Sequence, residues 1–207
     1  SKKTKRPVKL RMDRDDDILI TGKRHDFHAD YEVGFSDKGI IEGVKIKLLS
    51  RCGISPDLSG AINSRALLHI DNAYYLSDVS VENYLCKTNT SSSTAFRGFG
   101  GNQGMMIIEN IIDNVAKYLK KDSAKIRKIN FYQKNKKNIT HYGMRIQDNV
   151  INEIFSKLIK SSNYKNRRLN LKKFNLKNTY LKKGIAITPV KFGISFTTTH
   201  LNQAGAL

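Results

Sequence analysis

Apolar and polar residues alternate along Phe27–Phe35 and again along Ile40–Leu49, the period of a half-buried β-strand. Between them Ser36-Asp37-Lys38-Gly39 supplies turn residues, so this pair predicts a hairpin. Pro7–Asp13 alternates in the same way and predicts a strand ahead of the acidic cluster Asp13–Asp17; Val79–Thr88 predicts another. The period becomes helical over Ser59–His69, where Leu58, Ile62, Ala66 and Leu67 are apolar. It is clearest over Gln103–Lys121, where Met106, Ile107, Ile111, Val115 and Leu119 recur close to every fourth position. Asp122 or Ser123 can cap a second helix running through Ile129. Asp148–Ile159 predicts a further helix, with Val150, Ile151, Ile154, Phe155 and Leu158 on one side. Asn135–Tyr142 reads as a connection, and Asn163–Asn178 has no clear period. Gly184–Val190 reads as a short apolar strand, followed by the glycine- and hydroxyl-containing segment Phe192–Thr199. Hairpins mixed with helices argue for an α+β fold.

Charge adds a second question. Lys and Arg number 37 against 18 Asp and Glu, a formal net charge of +19, which raises nucleic-acid binding as an option. The charges are spread along the chain, thickest in Lys117–Lys137 and Lys157–Lys183, and no recognition motif accompanies them; solvated helix faces are the simpler reading. No apolar run reaches the roughly 18 residues of a membrane span, and no apolar stretch follows the basic start Ser1–Arg6, so neither a membrane span nor a secretory signal is expected. Cys52 and Cys86 lack metal-ligand spacing and read as reduced, buried thiols. His25, His28, His69, His141 and His200 form no recognisable metal or triad pattern.

The candidate chemistry sits in Thr94-Ala95-Phe96-Arg97-Gly98-Phe99-Gly100-Gly101. Glycines there permit left-handed backbone or close approach of a ligand, and the loop opens a long helix whose free N–H groups favour anions. The spacing is neither that of a P-loop nor that of a dinucleotide fingerprint. A guanidinium at Arg97 needs a partner, which favours a ligand over a bare turn. By pattern alone, Arg65 is a surface arginine or one paired with Asp57 or Asp71, and Phe196 between Ser195 and Thr197 is a core aromatic.

The string from Thr88-Asn89 through Thr94–Gly101 to Gln103 closely resembles the molybdenum-cofactor subunits of the xanthine dehydrogenase/aldehyde oxidase family. The resemblance includes Asp13–Asp17 with Thr21-Gly22-Lys23-Arg24-His25, Asp57-Leu58-Ser59-Gly60, Ser64-Arg65-Ala66-Leu67 and Asp71-Asn72-Ala73-Tyr74. Lys191–Thr197 and Leu201–Leu207 extend it to the last residue. It implies a hydroxylase acting on hypoxanthine and xanthine, with Phe96, Arg97 and Gly98 at the molybdenum–molybdopterin cofactor and Arg97 near the metal without ligating it. It further implies that Phe99 stacks on the purine face, that Phe196 meets its edge, and that Ser195 and Thr197 hydrogen-bond the substrate or its surroundings. Arg65 would be the catalytic cation, stabilising negative charge on the purine carbonyl oxygen; aldehyde oxidases usually lack arginine there. The metal would carry a sulfido ligand, and electrons would leave through 2Fe–2S clusters and FAD on a partner subunit or elsewhere in the polypeptide, to NAD. A cytoplasmic hetero-oligomer is implied.

The same resemblance divides the chain into the end of a first cofactor-binding domain, residues 1–137, and the start of a second, residues 138–207. It places one active-site glutamate before residue 1 and the general-base glutamate beyond Leu207, so an internal fragment, inactive alone, is expected. The rival functions are an aldehyde or other N-heterocycle hydroxylase and, in another class, a basic nucleic-acid-binding module.

Overall fold

The hairpin forms as the alternation predicts. In the computed structural model, which describes residues 1–194, Asn202 and Gly205, β1 (Phe27–Phe35) runs antiparallel to β2 (Ile41–Gly53). The register runs from Phe27 opposite Ser50 to Phe35 opposite Ile41, with an irregularity at Gly34/Phe35. On β2, Val44, Ile46 and Leu48 point to one buried face while Lys45 and Lys47 point to solvent, the strict two-residue period of a sheet covered on one side. The third strand, β3 (Val79–Lys87), joins β2 in parallel, with Val44 opposite Val79. Parallel neighbours need a long crossover. Here it contains α2 (Ser59–Leu68).

The sheet's buried face meets α3 (Gly101–Tyr118), whose Ile108, Ile111, Ile112 and Val115 complete the core. Next comes α4 (Ser123–Asn130), capped by the Asp122 carboxylate accepting from the Ala124 N–H at 2.9 Å. Arg127 on α4 is 1% exposed and donates to Glu109 at 2.8 Å and Asp113 at 2.9 Å, locking α4 against α3. Burial alone would lower its pKa, but the hydrogen bond and charge of Glu109 prevail and raise it. Tyr74 also donates to Glu109, and burial followed by that carboxylate pushes its hydroxyl pKa far upward.

Three expectations are corrected. Pro7–Asp13 is not a strand: among the described residues no neighbouring strand pairs with it, Val8 and Leu10 lie exposed, and alternation without a hydrogen-bonded partner does not make a sheet. The chain instead turns helical at α1 (Arg14–Ile20). Its cap, Asp13, accepts from Asp16 N–H at 2.9 Å, and Asp15, Asp16 and Asp17 suit the positive end of the dipole. Gly184–Val190 is likewise no strand. Ile187 and Pro189 bury individually, and the backbone is held by a side chain, Asn72 donating to the Pro189 carbonyl at 3.0 Å. Finally, α5 (Ile151–Ser161) has the expected apolar side, but only Phe155 is buried, edge-on to Phe131 at 5.0 Å. Val150, Ile154 and Leu158 remain exposed.

The stretch without a clear period forms α6 (Tyr164–Lys177), buried only at Tyr164 and exposing Leu169 and Leu176 among its Lys, Arg and Asn side chains. Cys52 is buried and Cys86 half-buried, both free thiols. Among the described residues no helix is long and apolar enough to cross a membrane, and no cluster of His, Cys, Asp and Glu could hold a metal ion.

Candidate active site at the glycine loop

Gly98, Phe99 and Gly100 all adopt positive φ, at 89°, 48° and 93°. For a phenylalanine that conformation is uncommon and is held only where its surroundings fix it. Two turns do so: Phe99 N–H donates to Phe96 O at 2.8 Å, and Gly101 N–H donates to Gly98 O at 2.9 Å. The loop then runs directly into α3.

Gly98 and Gly100 meet the expectation of left-handed backbone, and the close approach comes from this chain's own helix. A Cβ on Gly100 would collide with the Ile62 carbonyl oxygen, and one on Gly104 with that of Ala66. A Cβ on Gly101 would come within 2.6 Å of the Phe192 ring. These residues admit helix α2 and residue 192, not a ligand. The close α2–α3 crossing is what sets Arg65 beside the loop.

Arg65 is not a surface residue. It is 6% exposed, and burial lowers its pKa, though a guanidinium stays cationic through the physiological range. Its guanidinium lies 4.9 Å from the centre of the Phe192 ring, and Nη2 donates to the Gly193 carbonyl. Asp71, one of its two proposed acidic partners, accepts instead from Tyr132 at 2.7 Å and from Lys191. Lys191 N–H donates to Asn72 Oδ1 at 3.0 Å, so residues 189–193 are strapped along the turn that follows α2. Burial, then Asp71, raises the Tyr132 hydroxyl pKa far above its ordinary value.

Phe96 and Arg97 lie on the loop's outer side, both exposed. Arg24 donates to the Arg97 carbonyl at 2.5 Å and sits 4.5 Å over the Phe96 ring. Among the described residues no carboxylate pairs with Arg97. Beneath the loop, Gln103 donates to the His25 carbonyl at 3.0 Å, and its buried Oε1 has no hydrogen-bond partner. His25 in turn bonds Ser59 Oγ at 2.6 Å, tying the segment before β1 to the start of α2. The exposed Arg97 guanidinium and Phe96 ring, beside the N-terminus of a long helix, suit an anionic group with a flat face. Arg24 was not singled out by charge or spacing; only the Thr21–His25 resemblance pointed to its neighbourhood. Ser195, Phe196 and Thr197 lie outside the described residues.

A groove of about 1040 Å³ opens elsewhere, between α4, α5 and α6, with Phe155, Ile159 and Leu169 in its wall and Lys125, Lys128 and Lys172 among its cations. It contains none of the loop residues.

Residues 1–131 match the family described as molybdopterin cofactor-binding domain. The chain belongs to the xanthine dehydrogenase family of molybdopterin-binding proteins. Xanthine dehydrogenase of Dictyostelium discoideum is 44% identical over 98% of this chain, and xanthine dehydrogenase/oxidase of Gallus gallus 44% over 99%. The chain spans 15% of the length of each of these curated relatives. Among solved structures, quinoline 2-oxidoreductase from Pseudomonas putida 86 superposes with a TM-score of 0.70 at 18% identity, covering 80% of this chain and 22% of that one. Aldehyde oxidoreductase from Desulfovibrio desulfuricans gives 0.66 at 22% identity, covering 73% and 16%. The α+β architecture of this molybdopterin-binding family member is thus shared with distant molybdenum hydroxylases.

Proposed function

We propose that this chain is part of the catalytic molybdenum subunit of a xanthine dehydrogenase, hydroxylating hypoxanthine to xanthine and xanthine to urate. The observation that carries the reading is Arg65, a buried guanidinium delivered by α2 to the edge of the glycine loop. The names of the relatives at 44% identity support the same substrate class.

In this reading Arg65 faces the purine carbonyl oxygen and meets the negative charge that develops there. Gly193 O and Phe192 already hold it at one orientation, and a guanidinium with five N–H donors can keep Gly193 while receiving a substrate oxygen. A donor fixed before charge develops needs no reorganisation at the moment of reaction. Phe99 offers its ring to the purine face, and Phe196, Ser195 and Thr197 arrive from the segment that follows Gly193. Phe96, Arg97 and Gly98 hold the cofactor, with Arg97 near the metal but not ligating it; Arg24 steadies Arg97 through its carbonyl. When bound, the molybdenum group, with its sulfido ligand, supplies oxygen transfer and accepts two electrons.

The electrons leave through 2Fe–2S clusters and FAD on a partner subunit or elsewhere in the polypeptide, to NAD, in a cytoplasmic hetero-oligomer. Residues 1–137 close one cofactor-binding domain and residues 138–207 open the next; the family match ending at residue 131 supports that division.

Arg65→Ala in the full-length holoenzyme tests the reading. Turnover of xanthine, as kcat/KM, is expected to fall about 10²–10³-fold, the loss typical of one transition-state donor, while an aldehyde substrate is little affected. An equal loss on both substrates, or a wild-type enzyme that oxidises aldehydes and not purines, overturns it in favour of an aldehyde or other N-heterocycle hydroxylase.

A further inference from the structure

His69 lies one helical turn beyond Arg65 and just past the end of α2, 6% exposed. Its two ring nitrogens are both engaged. Nδ1 is 2.9 Å from the Arg65 carbonyl oxygen, which can only accept, so Nδ1 carries a proton. Nε2 is 3.0 Å from the Gly193 amide nitrogen, which can only donate, so Nε2 carries a lone pair. This combination fixes one neutral tautomer. Gly193 is thereby gripped at both ends of its own residue: its N–H by His69 and its C=O by Arg65. The His69 ring also lies 5.1 Å from that of Phe192. Gly193 lies against the imidazole: a Cβ there would sit in ordinary van der Waals contact with His69 Nε2, at 3.6 Å.

We propose that His69 is a positioning residue, whose neutral imidazole holds Gly193 and so fixes both the direction of the Arg65 guanidinium and the strap of residues 189–193 along the turn after α2. The inference rests on the purine-site reading for its catalytic consequence, but the clamp itself does not. Protonation of Nε2 would turn an acceptor into a donor facing the Gly193 N–H, and the bond would be lost.

The surroundings hold the ring neutral. Burial lowers the His69 pKa most strongly. The Arg65 carbonyl opposes that shift, the cations of Arg65 and Lys191 add to it, and the Asp71 carboxylate again opposes it. From α3 the ring meets glycine, with Gly101 against its Cδ2, and His141 sits close by on the Leu67 carbonyl, its own pKa lowered by burial. The clamp therefore holds at neutral pH and releases in acid.

Two variants of the full-length protein separate this role from mere packing. His69→Gln offers a carbonyl oxygen toward Gly193 N–H that does not titrate; His69→Phe fills the space and accepts nothing. Hydrogen exchange read by mass spectrometry on peptides covering residues 189–194 needs neither cofactor nor turnover. Protection at pH 8 is expected in the wild type and in H69Q and to be lost in H69F. On acidification, after correction for intrinsic exchange, the wild type is expected to open while H69Q stays closed. In the loaded enzyme, H69F is expected to lower kcat on xanthine about 10²-fold, the scale of a misplacement near 1 Å, and H69Q to lack the wild type's acid limb in kcat/KM. Equal protection of the segment in all three proteins, or the same acid opening in H69Q as in wild type, overturns the clamp. If exchange behaves as expected but no variant affects purine turnover, the clamp stands and the substrate reading fails.

Discussion

Residues 94–99 and residues 100–104 are neighbours in one glycine-rich run and opposites in use. The first half carries Phe96 and Arg97 outward, with Arg24 on the Arg97 carbonyl and the Phe96 ring and Thr94 N–H on the Lys23 carbonyl. The second half buries Gly100 and Gly104 against α2 and Gly101 against Phe192, where the absence of Cβ is a packing requirement. Composition does not distinguish these jobs. A glycine that lets a ligand approach and a glycine that lets a helix approach answer the same steric demand, and only the third dimension says which neighbour arrives.

The sharpest way to break this contrast is on the packed half. Gly100→Ala combines left-handed strain with collision against the Ile62 carbonyl and is expected to destabilise by about 3 kcal/mol. Gly104→Ala, inside α3 with ordinary helical backbone, isolates the collision with Ala66 O and is expected to cost about 2 kcal/mol. Denaturant melts measure both, and a neutral Gly104→Ala would show that α2 can simply move away.

Acid tests the polar layer beneath the packed half. His25, His69 and His141 are each lowered from the ordinary 6.5, burial being the chief cause in every case. Since the unfolded chain binds protons more readily than the folded one, stability is fully present above about pH 6.5 and declines as pH falls toward the lowered values. The midpoint of thermal unfolding is expected to drop between pH 7 and pH 5; a flat profile excludes three buried neutral imidazoles. On the outer half the expected effect on stability is smallest. Arg97→Ala should change unfolding free energy by less than about 0.5 kcal/mol while lowering the molybdopterin content of the purified full-length protein. Undiminished cofactor content would remove Arg97 from the binding site.

How much of this was legible depends on what each residue needed as a partner. The hairpin, α2, α3 and the Asp122 cap were readable because their signals are local: alternation, four-residue recurrence, one capping carboxylate. Pro7–Asp13 and Gly184–Val190 carried the same local signals, but a strand is completed by a neighbour that pattern cannot supply. The loop was found from its glycines and its family string, yet its division into two halves was not visible. Arg65 read as a surface or paired arginine because Phe192 and Gly193, which cover it, lie far away in the chain. His69 gave no signal at all: a lone histidine after an apolar helix shows neither of the two backbone groups it joins.

The strap from residue 189 to residue 193 has a thermodynamic consequence of its own. His69 and Gly193 are 124 positions apart, against 34 for His25 and Ser59. Each doubling of a closed loop costs about 0.6 kcal/mol of chain entropy, so the longer closure costs roughly 1 kcal/mol more. Asn72, Lys191, His69 and Arg65 together oppose that tendency to come apart. The density of polar contacts along five residues without regular secondary structure is the counterweight to the length of chain that must be held in a circle.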